Sequence, residues 1–392
     1  MQLVEQHIIN NNHKYFNECN KLSSLSKNLY NSALYFVRQH FFKNNQYINY
    51  YGVNRNFIDN NQIDYIELPR KVSNQTLMLV DKSFKSFFSL LKKKNIGKYN
   101  KKIKIPQYLP KDGKMVVIYE KGAISRRKLK NGKIKLSGTD IIVTTKKENI
   151  NQVRIVPKLG YFIIEIIYTI KSNKNIIENN KIASIDLGVN NLMSVTSNVF
   201  DPFIINGKPV KSINQYYNKL KAKYQTKKIT NKIKKLGLKR RNKIHDYLHK
   251  SSRQLVNHLV SNNITKLIIG YNKEWKQDIN IGKVNNQKFV SIPYSNLIYM
   301  LTYKCEIEGI SVIINEESYT SKCSFLDMED ICKHVKYLGK RIKRGLFKAS
   351  DGRLINSDIN GSYNILRKVV PNVFSDGIEG LAVNPIVYTI KG

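Results

Sequence analysis

The chain has 392 residues, 41% of them hydrophobic, enough for two or three domains of ordinary size. Its 67 Lys and Arg against 28 Asp and Glu leave a formal charge of +39, which repels itself in a free monomer and is relieved on a polyanion. A membrane surface is the poorer candidate: the most apolar run, 162–170, contains Glu165 and falls far short of the roughly 20 residues that cross a bilayer, and MQLVEQHIINNNHK has no signal-peptide pattern. Nucleic acid is the expected partner. Four cysteines (Cys19, Cys305, Cys323, Cys332) argue against a disulfide scaffold and for a reducing, intracellular compartment.

In chain order, residues 2–9 (QLVEQHII) read as a strand. Leu22, Leu25, Leu29, Ala33, Phe36 and Val37 recur at helical spacing, giving a helix over about 14–41. The Asn-rich stretch 42–68 reads as irregular. A second helix follows Pro69, marked by Leu77, Val80, Phe84, Phe87, Phe88 and Leu91. A basic, β-rich region then ends in a hairpin, VRIV and YFIIEIIYTI around Pro157-Lys158-Leu159-Gly160. Residues 171–180 are the expected linker. Beyond it lie the strands IASIDL and LMSVTS joined at Gly188-Val189-Asn190, and a third strand near 203–205. Two basic helices, about 211–236 and 240–262, are expected to break at Gly237. The strand KLIIG (266–270), a helix from about 293 to 308, the strand ISVII (310–314), a basic loop and a helix over about 359–368 complete the order. The expected fold class is multidomain α/β, with a mixed helical and β N-terminal half and an α/β C-terminal half.

Acids are scarce, so an acid at the end of an apolar strand is informative. Asp186 closes IASID, Glu316 and Glu317 follow ISVIIN, and Asp358 stands in NSDINGSYN. Phosphodiester hydrolysis on paired Mg²⁺ ions needs several carboxylates from different elements, and Mg²⁺ favours hard oxygen ligands. Any one of these acids alone is more often a turn or cap residue.

Three segments carry a family resemblance. IASIDLGVNNLMSVTS resembles the first RuvC motif of TnpB-type, transposon-encoded RNA-guided nucleases. NEESYTSKCSFLD resembles the segment after the central strands of that family, and INSDINGSYNILRK its Asp-x-Asn-Gly/Ala-x-x-Asn-Ile motif. KLIIGYNKEWKQ, LKRRNKIHDYLHKSSRQLV, LPRKVSNQTLMLVDKSFKSFF and KIPQYLP are similar to the same group. The resemblance implies an RNase H-like (RuvC) nuclease domain over 179–392. It implies a wedge β-barrel from 1–10 and 101–178, and a helical recognition domain over 11–100. It also implies Mg²⁺ as cofactor, a guide RNA transcribed near the gene, target double-stranded DNA cut beside a short flanking motif, and one protein per ribonucleoprotein.

Two departures matter. Most relatives carry the second catalytic Glu at the end of the strand that here reads KLIIG, where this chain has Gly270, and Glu274 lies beyond the strand. The rearranged branch that includes Fanzor proteins of eukaryotes and their viruses draws it from the later strand. Glu317, three before Thr320, fits that branch, and neighbouring Glu316 should face the other way. The implied triad is Asp186, Glu317 and Asp358, and residence is nuclear or cytoplasmic. The other departure is in a zinc-finger-like insertion over about 318–355. Only Cys323 and Cys332 remain, with eight residues between them and His334 nearby, so three ligands stand where zinc wants four and Zn²⁺ is not expected.

Basic clusters recur across both halves. Arg126 and Arg127, Lys239, Arg240 and Arg241, and Lys340, Arg341 and Arg344 are the nucleic-acid candidates. Tyr108, Tyr271 and Trp275 sit in polar basic loops where bases can stack, though core or rim packing is the commoner fate of an aromatic. Ser321 and Lys322 are candidate contacts near the scissile phosphate, and His245, His249 and His258 have no catalytic role. A catalytically inactive RNA/DNA-binding regulator and an RNase H-like strand-transfer transposase are the competing readings.

Overall fold

The computed structural model describes residues 1–170, 179–272, 291–375, 377–378 and 380–390, apart from the Arg126 side chain. The chain forms two compact units, Met1–Lys171 and Ser172–Gly392. Most of the expected linker, 171–178, and both Glu274 and Trp275 lie outside the described residues. Among the described residues no helix is long and apolar enough to cross a membrane.

In the first unit β1 (Gln2–Asn10) is followed by α1 (Phe16–Asn44), α2 (Tyr50–Asp59), α3 (Ile63–Ile66) and α4 (Arg70–Asn95). Then come β2 (Val117–Glu120), the short α5 (Arg126–Leu129), β3 (Lys133–Lys135), β4 (Ile142–Thr144), β5 (Ile150–Lys158) and β6 (Tyr161–Thr169). An antiparallel sheet runs β1-β6-β5-β2, and β3 and β4 form a separate hairpin. The apolar stripes of α1 (Leu29, Ala33, Val37) and α4 (Val72, Leu77, Phe84) join Val153, Ile155, Ile164 and Ile166 of the sheet in one core.

The stretch 42–68 is helical where the sequence reads as irregular. Its asparagines and glutamines act as caps: the Asn49 side chain accepts from Gly52 N at 3.2 Å, and Gln62 from Tyr65 N at 2.8 Å. Buried Val53 and Phe57 then hold α2 against the core, and Asp81 of α4 accepts from Tyr47 Oη at 2.6 Å and Tyr50 N at 3.0 Å.

The second unit is built on β7 (Ile182–Leu187), β8 (Asn191–Ser197), β9 (Phe203–Asn206), β10 (Lys266–Gly270) and β11 (Ser311–Asn315). Its long helices are α6 (Lys208–Thr226), α7 (Thr230–Ser261), α8 (Tyr294–Ile307) and α9 (Ser357–Val369). Short strands β12 (Lys340–Lys343), β13 (Leu346–Lys348) and β14 (Leu354–Asn356) make a small antiparallel sheet in what reads as a basic loop. The main sheet runs β11-β10-β7-β8-β9-β15, with β15 (Ile386–Tyr388) added in parallel to β9. β7, β8 and β9 are antiparallel in sequence, whereas β10 is parallel to β7 and β11 parallel to β10.

Alternation along the strands divides the two faces. Ala183, Ile185, Leu187, Leu267 and Ile269 pack with α7 and α8. Ile182, Ile204 and Ile268 pack with Ile359, Tyr363 and Leu366 of α9. The break between α6 and α7 falls at 227–229, where Lys228 takes a left-handed φ of 53°, and not at Gly237. Gly237 is a helical residue of α7; a cost of about 1 kcal/mol for one glycine does not break a long helix.

Candidate active site and nucleic-acid interface

Asp186 lies one residue from the end of β7, on the face covered by α9. That helix comes unusually close. Ser184 Oγ donates to Ser362 O at 2.7 Å, and Thr196 Oγ1 and Ser362 Oγ lie 3.0 Å apart. Gly361 permits the approach, since a Cβ there would stand 2.8 Å from Asp186 Oδ2. The two asparagines of the Asp-x-Asn-Gly motif then hold the segment after β11. Asn360 Nδ2 donates to Cys323 O at 2.9 Å, and Asn360 Oδ1 accepts from Phe325 N at 2.9 Å. Asn364 Nδ2 donates to Thr320 O at 3.0 Å and to Cys323 O at 2.8 Å. All three elements that bring the acids are thus tied together by buried hydrogen bonds.

The two neighbouring glutamates part as extended geometry requires. Glu316 is exposed and pairs with Lys368 Nζ at 2.8 Å, which with Ser318 holds its carboxyl below the usual range. Glu317 turns inward, its backbone N–H bonded to Asn272 Oδ1 at 3.0 Å. Its Oε2 is buried with no hydrogen-bond partner. Burial, helped by the charge of Glu316, pushes the Glu317 carboxyl up to about 7. Asp186 is raised well above the ordinary carboxylate range, first by burial and then by the charges of Glu317 and Asp358.

Asp358 sits in the first turn of α9, which begins two residues earlier than its sequence pattern indicates because Asn356 caps it. The Asp358 carboxylate accepts from Asn191 Nδ2 at 2.6 Å and from Arg341 at 3.4 Å. The structure therefore places Asp186, Glu317 and Asp358 in one electrostatic neighbourhood, without a closed ligand set. Among the described residues no three His, Cys, Asp or Glu side chains meet closely enough to hold an ion. An orphaned carboxylate oxygen and two carboxyls raised by burial and neighbouring charge are nonetheless the features that a hard divalent cation satisfies.

The zinc-finger-like segment is held by other means. Cys323 is buried with its Sγ 3.6 Å from Cys332 O, while the exposed Cys332 Sγ lies 3.4 Å from His334 Nε2. Buried Glu329 accepts from Ser324 N at 2.7 Å and Leu338 N at 2.8 Å. Phe325, Leu326, Phe347 and Ile355 fill the core beneath, with Phe325 and Tyr363 stacked 4.3 Å apart.

Of the basic candidates, Arg127, Lys239, Arg241, Lys340 and Arg344 are exposed. Arg240 differs: Nε donates to Asn214 Oδ1 at 2.6 Å and a terminal nitrogen to Ser291 O at 3.0 Å, so its guanidinium braces the protein itself. Arg341 sits beside Asp358, inside the candidate active site. Tyr108 is exposed under Arg38 at 4.9 Å, whereas Tyr271 is half-buried against the α7–α8 core. Ser321 and Lys322 are exposed. His258 packs between Phe200 and Phe203, 4.8 Å from each ring, and His245 lies 4.5 Å from His249. Sequence reasoning does not reach Asn191 or Asn272, because an asparagine beside a turn carries no signal of the carboxylate it serves.

Comparison with known proteins bears on this arrangement. Residues 165–276 match the OrfB_IS605 family, described as a probable transposase, and residues 294–365 match the Cas12f1-like TNB domain. These matches take in Asp186, Glu317 and the segment that α9 clamps. The chain is also 25% identical to the TnpB-like protein ORF457 of Acidianus two-tailed virus, over 91% of this chain and 84% of that one.

The chain is similar to TnpB-type proteins.

Solved structures give a looser likeness. A Cas12f1–sgRNA–target DNA complex matches at 13% identity, over 93% of this chain and 98% of that chain, with a TM-score of 0.38. A CRISPR-Cas12f ternary complex matches at 13% identity over 89% and 80%, also with a TM-score of 0.38.

Proposed function

We propose that this chain is an RNA-guided, Mg²⁺-dependent DNA endonuclease of the rearranged-glutamate branch, linked to a transposable element. The observation that carries the reading is Glu317 Oε2, buried and unpartnered beside Asp186. Burying an ionisable oxygen without a partner costs several kcal/mol, so the fold retains it for something that binds it. Strand order supports an RNase H-like (RuvC) domain: three antiparallel strands, then two parallel ones added beside the first, with acids at the ends of β7 and β11.

Asp186, Glu317 and Asp358 are the residues that would hold Mg²⁺, which supplies an activated water and stabilises the leaving oxygen. Asn191 orients Asp358, Asn272 anchors the Glu317 backbone, and α9 fixes the spacing through Gly361. Arg341 competes for Asp358 until a phosphate draws its guanidinium away. The reading extends to a wedge domain (1–10 and 101–178), a recognition domain (11–100) and a nuclease domain (179–392). Its partners are a guide RNA from the gene's flank and double-stranded target DNA, with one protein per ribonucleoprotein, in nucleus or cytoplasm. The zinc-finger-like insertion stands without Zn²⁺.

The Arg341–Asp358 pair favours one second reading, a non-cleaving RNA/DNA binder in which the guanidinium permanently replaces a cation. Expressing the gene with its flanking DNA, sequencing the RNA that copurifies, and assaying Mg²⁺-dependent cleavage of a matching duplex separates the two. A discrete flank-derived RNA, with cleavage that Asp186→Ala abolishes, supports the endonuclease. Discrete RNA without cleavage supports the binder, and a salt-removable smear of cellular RNA overturns guidance.

A further inference from the structure

Helices α6 and α7 enclose an open cleft of about 600 Å³, within the size range of ligand sites. On the α6 side, Tyr216, Leu220 and Tyr224 follow i, i+4, i+8 and so form a single stripe. Lys232, Lys235, Lys239 and Lys243 line the α7 side at i, i+3, i+7, i+11, again one stripe. The cleft therefore has an aromatic strip facing a lysine ladder. Over 208–245 the chain has 14 Lys and Arg and no Asp or Glu.

Details set this cleft apart from the basic surface elsewhere. Arg240 is fixed over the Tyr217 ring at 5.0 Å by its bond to Asn214, and Lys232 lies over Tyr224 at 5.8 Å. Tyr216 is 62% exposed, a large ring left open to solvent. Gly237, a poor residue for mid-helix, faces Tyr217: a Cβ there would lie 3.8 Å from the ring carbon Cε2 and 3.8 Å from the hydroxyl. Any longer side chain would project over that ring.

We propose that the cleft binds a single-stranded stretch of nucleic acid, with bases stacked on Tyr216 and Tyr224 and phosphates along the lysine ladder. The stripe from 216 to 224 runs roughly 12 Å, the length of three or four stacked nucleotides. Stacking needs exposed base faces, so a duplex does not satisfy the tyrosines although it satisfies the lysines. The inference rests on the reading of the chain as a nucleic-acid enzyme, and adds a site separate from the carboxylates.

The test uses the purified full chain and fluorescent 15-mers of oligo(U) and oligo(dT), a duplex of the same length, and poly-glutamate as the acidic-peptide control. Tyr216→Ala/Tyr224→Ala is expected to bind the single strands roughly tenfold more weakly, with the duplex affinity and the salt slope unchanged. Gly237→Leu, which favours the helix and keeps every charge and ring, is expected to give the same loss. Oligonucleotides carrying 4-thiouridine or 4-thiothymidine should crosslink to Tyr216 or Tyr224, and the stronger of the two identifies RNA or DNA as the natural occupant. Wild-type affinity in both variants overturns the proposal, as does poly-glutamate displacing the single strands at equal charge. If the wild-type chain binds no oligonucleotide at all, the functional reading itself fails; if it binds and only the variants are silent, the cleft alone does.

Discussion

Gly270 and Glu317 share one space: a Cβ built on Gly270 would stand 2.8 Å from Glu317 Oε2 and 2.4 Å from Ile365 Cδ1. The carboxylate arriving from beyond β11 fills the position that a side chain at the end of β10 would take. These two strands are adjacent and parallel, with Gly270 paired to Asn315, two residues before Glu317. The absence of a side chain at Gly270 and the inward turn of Glu317 thus go together.

Gly270→Ala should therefore act on both stability and cutting. Overpacking of this kind costs about 1–3 kcal/mol, and the displaced carboxylate should lower cleavage by at least tenfold. Thermal melts and single-turnover cleavage measure the two effects, and a variant of wild-type stability and rate would refute the shared space.

The adjacent glutamates should differ sharply. Glu316→Ala removes an exposed pair with Lys368 and should change stability by less than about 0.5 kcal/mol, leaving cleavage within twofold. Glu317→Gln should reduce cleavage more than 100-fold while the fold stays intact by circular dichroism.

The raised carboxyl of Glu317 gives a signed pH dependence. Below about 4.5 the group is protonated whether folded or unfolded, so it costs nothing. As pH rises to about 7 the unfolded chain ionises first and the fold loses stability, by roughly 3 kcal/mol in full above that pH. Added Mg²⁺ binds the ionised form, so its Tm increment should be small at pH 5.5 and several degrees at pH 8. Glu317→Gln should remove both the pH slope and most of the increment.

Lys304 predicts the opposite slope. It is 4% exposed and donates to His249 O at 2.8 Å and Ser252 Oγ at 2.6 Å, and burial brings its ammonium down to about 8. The cost of charging it is full below about 8 and gone above about 10.5, where the unfolded chain is also neutral. Lys304→Met should stabilise the chain by about 1–3 kcal/mol at pH 7, and urea melts should show the advantage shrinking by pH 10.

The segment around Cys323 and Cys332 should be indifferent to chelation. Its hydrogen bonds through Glu329 and its apolar core predict an unchanged Tm with a zinc-selective chelator, and near-neutral stability for exposed Cys332→Ser. Metal analysis showing one tightly bound zinc per chain would reject this.

Much of the second unit is legible in its sequence because its signals are local. IASIDL and LMSVTS are short apolar runs with a turn between them, and each forms its strand. Asp186, Glu317 and Asp358 stand out because acids are scarce around them. What escapes reading depends on partners far along the chain. β15 consists of three exposed residues that become a strand only by pairing with β9, over 180 positions earlier. Arg341 reads as one more surface cation until the fold sets it against Asp358. The helices α2 and α3 are hidden by their asparagines, which cap in three dimensions but resemble a loop in one.

The pairing of β1 with β6 joins Gln2 to Thr169. The nine residues of β1 have no neighbouring strand until β6 exists, some 150 positions later. At ribosomal speeds of about 5–20 residues per second, that is a wait of roughly 10–30 s. During synthesis the early helices can settle on one another, but the sheet closes last and from its far end. A chaperone or the nascent helical layer must shield that strand in the interval, so amino-terminal tags that delay its release should lower soluble yield more than tags at the other end.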